Sequence, residues 1–165
     1  MLSLVEENIR LSLTSMNGKP AENAAKITEN EEIIDFTNGA LTEFLIKLSA
    51  CLDARDEQTI GSYFHVLNDL ERIGDHAENF HEIGTEMLNK NISFSDSARV
   101  GINDMRDTVI KMLDVSKDTF ENLNRDELTN LTELEQKVDD MKIELIADHF
   151  NRLAEGNCGV EVSAY

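Results

Sequence analysis

Between residues 56 and 89 apolar side chains recur at alternating spacings of three and four: Tyr63, Val66, Leu70, Ile73, Ala77, Phe80, Gly84 and Met87. This a/d pattern predicts one long helix buried along a single seam. Upstream, Ile27, Ile34, Leu41, Leu45, Leu48 and Leu52 fall in a narrow band when wound as a helix. Breakers and caps mark out the rest. A first helix runs from about Met1 to Met16 and ends at "NGKP", where Gly18 and Pro20 interrupt the pattern. A second spans about Ala21 to Ala54. The seamed third helix starts near Asp56, a residue able to cap it, and ends near Asn89. A fourth follows "NISFSD" from about Asp96 to Leu123. A fifth starts after Asn124, with Glu127 three residues on as a capping-box partner, and stops near Gly156. Short connections make successive helices antiparallel neighbours, so the expected fold is an all-α antiparallel helical bundle.

The chain repeats itself. Shifted by 104 positions without a gap, Val5 meets Val109, Ile27 meets Leu131, Glu31 meets Glu135, Asp35 meets Asp139, Leu41 meets Leu145 and Ala50 meets Ala154. The helix pair 1–54 thus corresponds to the pair 105–158. A first unit of about 1–91 is followed by a second of about 94–165. The first goes on to a third helix, and the second stops at "GVEVSAY" before reaching one. The expectation is a single domain of two pseudo-repeated three-helix units, the second truncated, cut from a longer protein.

Charge changes the picture. Among 165 residues are 33 acidic and 15 basic, a formal net charge of −18. Phosphate backbones and anionic membrane surfaces would be repelled, so nucleic acid is excluded as a partner and cations become compatible ones. No apolar run approaches the roughly 20 residues that span a bilayer. The acidic opening "MLSLVEENIR" does not resemble a secretory leader. Cys51 and Cys158 form neither a disulfide framework nor a metal-ligand spacing.

The candidate chemistry lies in three Glu-x-x-x-Asp pairs: Glu31 with Asp35, Glu71 with Asp75, and Glu135 with Asp139. A spacing of four stacks both carboxylates on one helix face, and on the third helix the row continues to Glu78 and Glu82. Like charges so placed repel by a few tenths of a kcal/mol each. A bound hard or borderline cation reverses that sign, whereas a solvated flank merely tolerates it. Glu78 and His81 form one Glu-x-x-His step, half of a di-iron signature, and no second step accompanies it. No phosphate loop, nucleophile elbow or cysteine–histidine motif is present in the sequence, and no enzymatic activity is expected.

These residues resemble a known family. "DLERIGDHAEN" looks like the signature of the PhoU family of phosphate-uptake regulators. "ENEEIIDFTNGALTEFLIKLS" and "LEQKVDDMKIELIADHFNRLAEGNC" resemble the second helices of its two repeats. The last form is most similar to the PhoU-like cytoplasmic tails of bacterial sodium/phosphate cotransporters. The resemblance implies two three-helix bundles and a regulatory role without catalysis. It also implies a place at the inner face of the cell membrane beside a transporter portion of the same or a partner protein. It further implies metal clusters of iron, zinc or nickel. Glu31, Asp35, Glu71 and Asp75 would form the first, and Glu135 and Asp139 half of a second. An uncovered seam in the second unit would invite a homodimer. Two other readings stay open: a metal-free helical adaptor whose acidic flank serves solubility, and a ferritin-like di-iron carboxylate protein.

Overall fold

The computed structural model describes residues 1–15, 20–51 and 56–165. Among them the chain is helical and without strands: α1 Leu2–Ser15, α2 Pro20–Ser49, α3 Glu57–Asn89, α4 Asp96–Asn122 and α5 Leu128–Ala154, with 3-10 turns at Arg125–Glu127 and Val160–Ala164. The all-α architecture expected from the seams is observed. The expected ends of the first two helices at Met16 and Ala54, and the seam residue Leu52, lie outside the described residues. Pro20 opens α2, where its missing N–H is one that the helix could not use.

Local chemistry sets the helix ends. The Ser95 hydroxyl accepts from the Ala98 N–H at 3.3 Å and caps α4. α3 closes on Asn91 at φ 54°, with the Ile92 N–H returning 2.8 Å to the Met87 carbonyl. α5 closes the same way on Gly156 at φ 72°, with the Asn157 N–H 2.8 Å from the Arg152 carbonyl. Glycine adopts that left-handed conformation without a Cβ penalty, which is why the helix stops where expected.

The start of α5 differs from expectation. The Asn124 N–H already donates to the Thr119 carbonyl at 3.1 Å in closing α4, so Glu127 has no capping-box donor to reach. The Asn124 side chain instead accepts from the Asp126 N–H at 3.3 Å and starts a 3-10 turn. Glu127 accepts from the Asn130 amide at 2.8 Å.

The chain divides into two compact units, Met1–Glu86 and Met87–Tyr165. In the first, α1 and α2 run antiparallel: Asn30 donates to Glu7 at 3.1 Å, and Asn23 to the Leu11 carbonyl at 3.2 Å. α3 returns antiparallel to α2, with Leu45 of α2 packed on Ile60 and Leu67 and flanked by Met1, Leu48 and Phe64. Val5, Ile9, Ile27 and Ile34 complete the core. The buried stripe of α3 is Ile60, Leu67, Gly74, Ala77, Gly84 and Met87. Ala77, Gly84 and Met87 belong to the expected seam, whereas Ile60, Leu67 and Gly74 lie one position to its side. Tyr63 is exposed, and Val66, Leu70, Ile73 and Phe80 are only half-buried.

In the second unit, α4 and α5 form a hairpin with Ala98, Thr108 and Leu134 buried, and the Thr108 hydroxyl lies 3.7 Å from Met141 Sδ. Repeat-equivalent positions point inward in both units but to different depths. Ile27 and Ile34 are fully buried, while their counterparts Leu131 and Val138 are half-buried. The first hairpin is covered by α3, and the long helices lying wholly within the second unit are α4 and α5 among the described residues.

Candidate functional site

The three expected carboxylate pairs have different surroundings. Glu31 is buried at 8% exposure, although its α2 neighbour Asp35 is exposed. It is enclosed from two sides. From α1, the Asn8 Nδ2 donates to Glu31 Oε2 at 3.4 Å and to the Ile27 carbonyl at 3.1 Å. From α3, Gly74 leaves the space that the carboxylate occupies, since a Cβ there would lie 3.1 Å from Oε2 and 3.2 Å from Oε1. Glu31 Oε1 is shielded and has no hydrogen-bond partner.

Burial is the main cause that pushes the Glu31 carboxyl up to about 7 from its ordinary 4.5. The charges of Asp35, Asp75 and Glu78 push in the same direction, and the Asn8 bond opposes them. One carboxylate is therefore held in the bundle while three more act on it from α2 and α3. Those three are exposed, and among the described residues no three His, Cys, Asp or Glu side chains stand close enough to share an ion. Carboxylate oxygens are the donors that hard or borderline cations prefer, and one oxygen of Glu31 is buried without a partner.

Glu71 is half-buried and is not among the charges that act on Glu31; Glu78 takes that place. Glu135 and Asp139 are both exposed, and neither lines the open groove of about 690 Å³ between α4 and α5. The His81 Nδ1 lies 3.1 Å from the Ser15 hydroxyl, so the ring of the Glu78–His81 step is engaged with α1. His76 is exposed.

Sequence reasoning missed Asn8 and Gly74. A glycine inside a helix costs about 1 kcal/mol relative to alanine and asks for a packing reason, which is the signal that Gly74 offered. Gly74→Ala is expected to change metal-free stability by no more than about 1 kcal/mol, because the helix gain offsets a small displacement of the far end of the Glu31 side chain. The same change should disturb any ion held by Glu31. Thermal melts and metal titration of the variant check the two halves separately.

The fold and site define an all-helical domain that gathers carboxylates where its helices meet. The comparison with family models is specific: the PhoU domain model matches residues 1–84, about half of the 165-residue chain, and the chain belongs to the PhoU family. The matched stretch contains α1, α2 and most of α3, with Glu31, Asp35, Glu71 and Asp75. The family is regulatory and non-enzymatic, and is linked to phosphate uptake. No curated protein and no solved structure matches the chain.

Proposed function

We propose that this chain is a metal-binding regulatory module of a sodium/phosphate cotransporter-related protein, acting at the cytoplasmic face of the membrane. The observation that carries the metal reading is Glu31: buried, with one oxygen unpartnered, and pressed by Asp35, Asp75 and Glu78. A fold that spends stability on that arrangement is relieved by a cation. Glu31, Asp35, Glu71 and Asp75 would hold the ion, with Glu78 adding negative charge and Asn8 and Gly74 shaping the inner wall. Iron, zinc or nickel would supply the positive charge that turns mutual repulsion into ligation. Glu135 and Asp139 are the corresponding candidates in the second unit. No helix among the described residues is long and apolar enough to cross a membrane. A membrane partner would therefore be met through surface, and Phe36 and Phe44 on α2 offer exposed apolar side chains for such a contact.

The test is elemental analysis of untagged protein by plasma mass spectrometry, beside Glu71→Ala/Asp75→Ala. Near-stoichiometric iron, zinc or nickel that is lost in the variant is the expected result. Unchanged metal content and unchanged transport regulation would sink the reading. The metal-free adaptor is the second reading, favoured by the exposure of Asp35, Asp75 and Glu78 and the lack of a three-donor cluster among the described residues. It predicts that a chelator leaves stability untouched.

A further inference from the structure

Asn8 belongs to none of the three carboxylate pairs. It sits on α1, fully buried, bonded through Nδ2 to Glu31 and to the Ile27 carbonyl, with its Oδ1 unpartnered. Buried asparagines in helix seams are most often register devices that lower stability to fix one pairing. The repeat separates that role from another. Shifted by 104 positions, Asn8 corresponds to Met112, Asn30 to Leu134 and Glu31 to Glu135. In the second hairpin the layer is apolar, with Met112 half-buried and Leu134 buried, and Glu135 is exposed. In the first the layer is polar and Glu31 is buried. The α4–α5 hairpin pairs without an asparagine in this layer, so helix pairing alone does not demand one. The polar layer goes with the buried carboxylate.

The two asparagines also differ. Asn30 donates outward to Glu7 at 3.1 Å, while Asn8 donates inward to Glu31 Oε2. An amide bonded to one carboxylate oxygen limits rotation of the group and leaves the other oxygen open. On this chain the open oxygen is Oε1, which is buried and unpartnered. We infer that Asn8 is a positioning residue of the cation site, holding Glu31 by one oxygen so that the other is presented to the ion. The inference rests on the metal reading above and extends the site to a third helix.

The experiment is a Zn²⁺ titration in competition with a chromophoric chelator. Wild type is compared with Asn8→Leu, Asn8→Ala and Asn30→Leu, with thermal melts of each metal-free protein. Leucine replaces the amide by an apolar group of similar shape, and the second hairpin carries apolar residues at both equivalent places. Asn8→Ala removes the same donor without filling its volume and serves should Asn8→Leu fail to fold. Outer-shell partners of metal ligands commonly change affinity by 10–100-fold, so both Asn8 variants should weaken Zn²⁺ binding about tenfold or more. Asn30→Leu should stay within about threefold of wild type, because its amide does not touch Glu31, and that contrast is one that a mere register role would not produce. Wild-type affinity in the Asn8 variants overturns the inference, as does an equal loss in Asn30→Leu. Wild type that binds no Zn²⁺ and carries no metal on purification overturns the metal reading itself, a result distinct from either.

Discussion

At pH 8 and free of metal, Glu31→Gln is expected to be about 3 kcal/mol more stable than wild type. Folding holds the Glu31 carboxyl at about 7 against an ordinary value of 4.5, chiefly through burial. The gap of about 2.5 pH units corresponds to about 3 kcal/mol at 1.36 kcal/mol per unit. Below pH 4.5 the group is protonated in both folded and unfolded chains and costs nothing. Between 4.5 and 7 the unfolded chain releases the proton that the folded one retains, so wild-type stability falls as pH rises. Above 7 the full penalty is present. Glutamine keeps the shape and can still accept from Asn8, while its amide offers donors to the surrounding carboxylates. Urea unfolding with chelator from pH 4.5 to 8.5 should show a wild-type-to-variant difference that opens through that window and then levels. A pH-independent difference would contradict the buried-carboxylate account. On the proposed function, saturating Zn²⁺ stabilises wild type and not the variant, narrowing or reversing their order.

Ile27→Ala is expected to cost about 3–4 kcal/mol, within the range for truncating a fully buried isoleucine. Its repeat counterpart, Leu131→Ala, should cost about 1–2 kcal/mol, because a half-buried leucine has less apolar area to lose and solvent can fill the gap. Ile27 is 1% exposed and Leu131 only half-buried, although both face inward on equivalent helices. Hydrogen exchange resolved to α2 and α5 measures each effect in its own unit. Equal losses at the two sites would mean that Leu131 is covered to the same depth as Ile27 in solution. The comparison therefore reads directly what α3 adds to the first hairpin.

Much of the molecule was legible in the sequence because it is local. Apolar spacing together with breakers and caps predicted five helices, and five are present among the described residues. Ser95 before Asp96 and Gly156 after Ala154 mark helix ends by hydrogen bonds and backbone freedom that involve only a few neighbouring residues. The shift of 104 positions and the "LERIGDHAEN" stretch are likewise properties of residue order, and the family match spans the latter. The one local misreading, at Asn124, came from two helices competing for a single N–H.

What spacing could not distinguish were three chemically identical Glu-x-x-x-Asp pairs. Only the tertiary structure decides that Glu31 is buried while Glu135 is exposed, because burial depends on a neighbour remote in the chain: Gly74 of α3 over Glu31. The same packing buries Ile60, Leu67 and Gly74 beside the expected seam of α3 and brings Glu78 rather than Glu71 to act on Glu31. It also places Asn8 of α1 against a carboxylate of α2. Periodicity determines which residues share a helix face. Which face meets which, and how far each is withdrawn from water, depends on contacts between segments far apart in sequence, and in this chain those contacts single out Glu31.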